Sequence, residues 1–408
     1  MAGTVIAQGI QLGISPVLTR IYGPNEFGVF ALYMSVASLF SIVATGRYEM
    51  AIMLPANDDD AANLLALSLM ISAGISLVAL LVVSVFGGNL AAALGDRSVA
   101  PWLYLIPVSI MLTGSYQAFN YWSNRNKKYR RLSGSRVIQY GSAAVANMGL
   151  GLWGWGVGGL IGGSIFGQLL STLSLGWQAT RDGLGLRRRM NAESLKVNAK
   201  RYKDFPLINS LHAFMDVVQT SGANFIISHF FGQGILGQYS LTMRILKAPL
   251  YLIGASLSQV FLQKATEVHN QKGDLQVLVR KAAGGLVLTA LPIFTLIYLA
   301  APALFSLVFG ERWRVAGEYA RILSPWLFLN FVVSPLAQIP IITNRQKEVF
   351  GLGLLGNSLI VMSVLYGGLV ARDIKNGLWL LSITQVVYLS GALWWVYKIS
   401  GRKDHRYA

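Results

Sequence analysis

Charged residues and Gly/Pro-rich breaks cut this chain into about twelve apolar spans of roughly 20 residues, a pattern that leaves few folds open. The spans run 2–22, 27–46, 62–86, 100–123, 135–153 and 157–180, then 206–230, 237–258, 282–308, 319–342, 349–370 and 378–397. At 1.5 Å per residue, each makes a helix just long enough for a ~30 Å hydrocarbon core. Composition agrees: the chain is 54% hydrophobic and 12% charged, against about 25% charged in a soluble domain. The expected fold class is therefore all-α integral membrane, with about 12 transmembrane helices. No basic n-region precedes the first span, so no cleavable signal peptide is expected. That span begins almost at Met1, and a short native segment is expected to precede it.

The loops alternate in charge. With the N-terminus inside, the cytoplasmic segments carry Arg47, six cations between Arg125 and Arg136, and eight between Arg181 and Lys203. They also carry Lys264, Lys272, Arg280 and Lys281; Arg345 and Lys347; and Lys398, Arg402, Lys403 and Arg406. Together these are 25 of the 34 Lys and Arg, while the opposite side holds Arg97, Arg312, Arg314, Arg372 and Lys375. The positive-inside rule then places both termini in the cytoplasm. The net charge of +17 reads as a topology signal and as affinity for anionic membrane lipids, not for nucleic acid.

The chain also repeats itself. Ile21–Met34 lies 209 residues before Phe230–Met243, and Gly23/Gly232, Gly28/Gly237, Leu32/Leu241 and Met34/Met243 coincide. Gly95-Asp-Arg97 mirrors Gly310-Glu-Arg312, and Asn124-Arg-Asn-Lys127 mirrors Asn344-Arg-Gln-Lys347, in the same order. Six spans per half is an even number, so the halves share one orientation, related by a pseudo-two-fold axis along the membrane normal. The expected organisation is an N-terminal six-helix lobe (1–180), a basic cytoplasmic linker (181–205) with a short amphipathic helix, a C-terminal six-helix lobe (206–397) and a basic tail (398–408).

Ionisable residues deep in a span are costly and tend to mark a pathway or an internal pair. Counting from Pro206, Asp216 lies roughly 15 Å deep; Lys247 reaches a similar depth from the other side, and Arg244 is one turn shallower. Arg244 and Lys247 are three apart and share a helix face. A buried salt bridge of Lys247 with Asp216 is one reading, but one carboxylate cannot neutralise two cations. At least one positive charge is left for water or an anionic ligand. Arg20, near the outer end of the first span, either adds to it or snorkels to the interface; Arg321 reads as snorkelling. His212 and Asp216 share a face, suited to H⁺ or Na⁺ coupling or to a static polar pair. Arg47 and Glu49, at the inner end of the second span, form a cytoplasmic gate or an interfacial ion pair.

The remaining motifs are weaker. Gly149–Gly154 and Gly351–Gly356 each spell GxGxxG, but in or beside membrane spans, where small residues let helices approach closely. Asp58–Asp60 suit a solvated helix start. The four histidines lack ligand spacing and the chain has no cysteine, so no metal site and no cofactor is expected. Gln8, Gln11, Gln117, Asn120, Gln139, Asn147, Gln219, Asn224, Gln259, Gln338 and Asn357 put many amides into the spans. They line a wet interior or bond helix to helix.

These residues carry a resemblance. Leu18-Thr-Arg-Ile-Tyr-Gly-Pro-Asn-Glu-Phe-Gly28 with Thr45-Gly-Arg-Tyr-Glu-Met-Ala-Ile-Met-Leu-Pro55 resembles the N-terminal signature of the polysaccharide transporter family. Tyr202–Pro206, Gly237–Leu241 with Arg244, Val308–Trp313 and Leu323–Leu329 with Ser334-Pro335 are similar to its later landmarks. The family comprises the Wzx-type lipid-linked oligosaccharide (O-antigen) flippases of the multidrug/oligosaccharidyl-lipid/polysaccharide exporter superfamily.

The resemblance implies two six-helix bundles around a central cavity that opens alternately to each side of a bacterial inner membrane. It implies a flippase moving undecaprenyl-diphosphate-linked oligosaccharides to the outer leaflet, with a polysaccharide polymerase and ligase as partners. It further implies that cavity cations meet the diphosphate, a role that fits Arg244, Lys247 and Arg20. A multidrug exporter of the same superfamily is the first alternative, disfavoured by two deep bases against one acid. A membrane-embedded glycosyl- or acyltransferase is the other, and neither a catalytic acid–base set nor a large loop points to it.

Overall fold

The structure, a computed structural model, describes residues 2–182, 190–206, 210–271 and 273–401; the side chains of 2, 4, 210–216, 249, 251, 252 and 255 fall outside that description. Among the described residues the chain is helical, with no strand. Twelve helices of twenty residues or more follow one another among these residues. In the first half they are α1 (Ala2–Ile21), α2 (Pro24–Val43), α3 (Asp58–Ala93), α4 (Ile106–Arg125), α5 (Tyr129–Leu152) and α6 (Val157–Arg181). Then come α7 (Ser210–Phe231), α8 (Gln233–Asn270), α9 (Leu275–Phe309), α10 (Arg314–Leu336), α11 (Gln346–Tyr366) and α12 (Ile374–Ser400).

Each expected span has a helix, but three helices outrun their spans. α3, α8 and α9 have 36, 38 and 35 residues, about 54 Å for the first, well beyond a ~30 Å core. The cause is local. Hydropathy ends a span where charge begins, whereas a helix ends where a breaker or a cap ends it. α8 runs on through the surface pair Lys264–Glu267, 2.8 Å apart at i,i+3, and the turn closes only at Gly273. Asn57 caps α3, its side chain accepting the Asp60 amide, with Asp58, Asp59 and Asp60 in the first turn, as the acidic run suggested. The fourth span is broken instead of continuous: Arg97–Leu103 and Ile106–Arg125 meet at 50°. Pro107 sits in the first turn of the second piece, where its missing N–H costs no helix hydrogen bond and its ring clashes with no preceding turn, which favours a break just before it.

Among the described residues, seven helices are long and apolar enough to cross a membrane, or eight if the bent pair counts as one.

By packing, the chain divides into two compact units, residues 1–237 and 238–408. α7 therefore belongs with the first unit, although the expected linker lies before it. Its contacts give the reason: Asn224 donates to Ser35 Oγ at 2.8 Å, Ser221 to the Ser35 carbonyl at 3.2 Å, and Ser228 to the Leu94 carbonyl at 2.7 Å. Hydroxyls and small residues of this kind join helices where hydrophobicity gives no drive. The repeated motif packs on itself in the same unit. A Cβ on Gly28 would meet the Gln233 backbone, and one on Gly237 would meet Pro24. In α6, Gly159, Gly163 and Gly167 lie against Tyr22, Asn147 and Gln139. In the Gly149–Gly154 string at the end of α5 only Gly151 is closely packed, against Ile21 and Tyr22, and in Gly351–Gly356 only Gly356, against Tyr388, while Gly149, Gly154, Gly351 and Gly353 face open space.

In the second unit, α10 is the central helix, with Trp326, Leu327, Phe331 and Val332 buried. Phe261, Leu275, Val279, Leu336, Ile339 and Val396 form one core cluster there.

Candidate functional site

Arg244 and Lys247 lie on α8, three residues apart and both half-buried. The described neighbour of the Lys247 ammonium is an aromatic face: Nζ sits 5.5 Å from the centroid of Trp326, itself 4% exposed on α10. An ammonium over an indole is attracted by the ring quadrupole, more so out of water. The ring shields one side of Lys247 and carries no counter-charge. No spacing rule could have named Trp326, since it lies on another helix. His212 and Asp216 fall on the α7 backbone, but their side chains lie outside the described residues, and so does any Asp216–Lys247 pairing. Arg20 ends α1 and is exposed.

Arg47 and Glu49 form a second station at the basic end of the first unit. Arg47 has φ 60°, a left-handed N-cap for the short helix Tyr48–Ala51. That turn folds Glu49 inward to 1% exposure, where it accepts a hydrogen bond from Thr45 Oγ1. The Arg47 guanidinium is 4.0 Å away, and Tyr121 of α4 lies within electrostatic reach of both. Burial pushes the Glu49 carboxyl above its usual value, while Thr45 and Arg47 pull it back. The Arg47 guanidinium keeps its charge, so it holds a permanent cation beside this buried carboxyl.

The same end holds contacts that composition did not point to. Arg125 closes the loop before α3: it donates to the carbonyls of Ile52 at 3.2 Å, Pro55 at 2.7 Å and Asn57 at 3.2 Å, and to Asp58 at 3.1 Å. Loop cations are read from sequence as topology signals only, because carbonyl partners leave no mark in it. The expected linker helix is present as Ala192–Arg201, capped by Asn191. It is tied to the first unit by Tyr48 Oη donating to the Ala199 carbonyl at 3.0 Å, and by Asn198 donating to Asp60 at 3.0 Å. The linker residues 183–189 lie outside the described residues.

Among the described residues, the span amides singled out from the sequence bond helix to helix at two positions: Gln139 donates to Gln168, and Asn224 to Ser35 Oγ at 2.8 Å. Gln8, Gln11, Gln117 and Asn120 stay half-exposed within the bundle. On the second unit a cavity of about 390 Å³ gathers Arg314, Arg321 and Lys375. Its cations are answered: Arg314 by Glu311 at 3.4 Å, Lys375 by Glu318 at 2.7 Å, Arg321 by the carbonyls of Tyr298 and Leu299. Arg321 is itself exposed, so these carbonyls orient a side chain at the surface.

The fold is that of transporters of the MOP superfamily. The inward-facing conformation of a multidrug resistance MATE family transporter matches with a TM-score of 0.73 at 14% identity, over 96% of this chain and 94% of that one. Lipid II flippase MurJ, in an inward closed conformation, matches with a TM-score of 0.69 at 12% identity, over 98% and 89%. Residues 17–318 match the polysaccharide biosynthesis protein family model, and the chain belongs to that family. It is similar to the succinoglycan biosynthesis transport protein ExoT of Rhizobium meliloti (strain 1021), 24% identical over 402 residues, 96% of this chain and 77% of that protein. The chain is accordingly a multi-pass membrane transporter of the polysaccharide branch, as the sequence motifs suggested.

Proposed function

We propose that this protein is a flippase that carries undecaprenyl-diphosphate-linked oligosaccharide units from the cytoplasmic to the outer leaflet of a bacterial inner membrane. The observation that carries the reading is the cation pair Arg244 and Lys247 on one face of a membrane helix, with Lys247 faced by an indole instead of an acid among the described residues. A diphosphate is the ligand such a pair suits, through charge-assisted hydrogen bonds. In this reading two six-helix lobes enclose a central cavity, and both termini are cytoplasmic. Arg47 and Glu49 gate the cytoplasmic side, Arg20 adds charge near the other mouth, and half-exposed amides such as Gln8, Gln11, Gln117 and Asn120 receive the sugars. Asp216 and His212 couple the cycle to H⁺ or Na⁺, and a polysaccharide polymerase and ligase consume the product.

Native mass spectrometry with undecaprenyl-diphosphate oligosaccharide tests the reading. Wild type is expected to bind, and a folded Arg244→Gln/Lys247→Gln variant is expected to lose binding. Equal binding by both would make the two charges structural. Binding of a cationic drug and not of the lipid would move the protein to the multidrug branch.

A further inference from the structure

At the end of the first unit away from the basic loops, a cavity of about 400 Å³ lies between the start of α2, the turn after α3 and the starts of α6 and α8. Asn25, Glu26, Asp96, Ser98 and Gln233 line it, and among the described residues no Lys, Arg or His does. Gln233 is 8% exposed, and its amide orientation is set by its neighbours. The Ser228 hydroxyl gives its single proton to the Leu94 carbonyl at 2.7 Å, so Ser228 can only accept from Gln233 Nε2, at 2.8 Å. A flipped amide would set two acceptors against each other. Gln233 Oε1 is thereby committed to the other direction, where it is buried and has no hydrogen-bond partner. Such an atom calls for a donor. The two carboxylates are held in place by turn and cap contacts: Glu26 accepts the Gly23 amide, and Asp96 accepts the Ser98 amide and hydroxyl, each at 2.7 Å.

The internal repeat shows that this corner is open by residue choice. In the second copy Gln238 stands where the first has Val29, and Trp313 where it has Ser98. Gln238 fills that corner, donating to the Arg312 carbonyl at 2.7 Å and accepting the Ala316 amide at 3.0 Å, while Trp313 is fully buried. The first copy, with Val29 and Ser98, leaves a polar hollow with two negative charges and an unanswered acceptor. Just before α6, Trp153 and Trp155 are 79% and 60% exposed. Exposed tryptophans at helix ends mark the lipid headgroup level.

We propose that this cavity binds a primary ammonium group, with the headgroup of phosphatidylethanolamine as its membrane source. The ammonium carries three N–H donors and one positive charge, for Gln233 Oε1, Glu26 and Asp96. Quaternary choline has the charge and no donor, so it leaves Gln233 unanswered. The site is independent of the flippase reading, since it needs no transport.

The test is native mass spectrometry of the full chain with phosphatidylethanolamine, phosphatidylcholine and phosphatidylglycerol of one acyl composition. Wild type is expected to retain phosphatidylethanolamine about tenfold over phosphatidylcholine, the scale of one charge-assisted hydrogen bond. Gln233→Met, and Glu26→Gln with Asp96→Asn, should bring that ratio near one; the second pair keeps the capping oxygens, so folding is retained. Equal retention of the two lipids by wild type, or a preference that survives in either folded variant, would overturn the proposal. Free ethanolamine as competitor separates the sources: displacement assigns the site to a soluble amine, and a preference that resists it assigns the site to lipid.

Discussion

All three guanidinium nitrogens of Arg125 donate to one loop, and its side chain is only 14% exposed. Arg125→Ala strands the carbonyls of Ile52, Pro55 and Asn57 together with Asp58. The expected loss is about 2–4 kcal/mol, the range for breaking a largely buried, multiply bonded charge. A thermal melt in detergent should fall accordingly, while Lys128→Ala, at an exposed position, stays within about 0.5 kcal/mol of wild type. Glu49 gives a pH dependence of the opposite kind to a surface ion pair. Its carboxyl is raised by burial, so its contribution is fully present below the unfolded value and is lost as pH rises through the folded one. Glu49→Gln should therefore flatten the melting temperature between pH 5 and neutrality, the variant gaining on wild type as pH rises. Parallel profiles for the two proteins would mean that Glu49 is not the group responsible. At this scale the sequence was half legible. The i,i+3 spacing put Arg244 and Lys247 on one face, but Trp326, the Thr45–Glu49 bond and the Arg125 carbonyls come from folding distant segments together.

At the scale of elements, the spans were legible because charge punctuates them, and helix ends less so because caps and breakers end them. Helix partners were hardest. α7 joins α2 through Ser35, Ser221 and Asn224, side chains whose spacing is equally suited to several neighbours. Gly28 and Gly237 are a partial exception: the repeat named them, and the structure explains them by mutual close approach. Gly28→Ala and Gly237→Ala should each lower thermal stability, because the added methyl meets backbone, which cannot swing aside. Gly9→Ala is the control, with open space around its Cβ; there the expected change is a gain of roughly 0.5–1 kcal/mol from helix propensity. The open end of the α5–α6 hairpin has its own signature. Arg131 at the start of one pairs with Asp182 after the other, and that hydrogen bond holds the Asp182 carboxyl below its usual range. Its contribution is present at neutral pH and lost as pH falls through the folded value. Asp182→Asn should melt earlier than wild type near pH 7, and the two should converge in acid.

At the scale of the whole molecule, the number of crossings decides the topology. Twelve crossings put both ends on one side, whereas an odd number puts them on opposite sides. The helices α1, α7 and α8 carry Arg20, His212, Asp216, Arg244 and Lys247, so they belong to the bundle if those residues face its interior. The absence of cysteine makes the question accessible, since one introduced cysteine is the sole thiol. Arg130 and Lys196 are exposed on segments expected inside, and Arg97 and Arg372 on segments expected outside. In intact cells with a permeable outer membrane, a membrane-impermeant maleimide should label Arg97→Cys and Arg372→Cys. Arg130→Cys and Lys196→Cys should react only after lysis. Arg372 is the informative position: it follows eleven crossings in the twelve-helix arrangement, and dropping an odd number of the preceding helices moves it to the cytoplasm. Labelling at Arg97 without labelling at Arg372 would therefore remove an odd number of the polar helices from the membrane, and with them the cavity into which Arg244 and Lys247 are read.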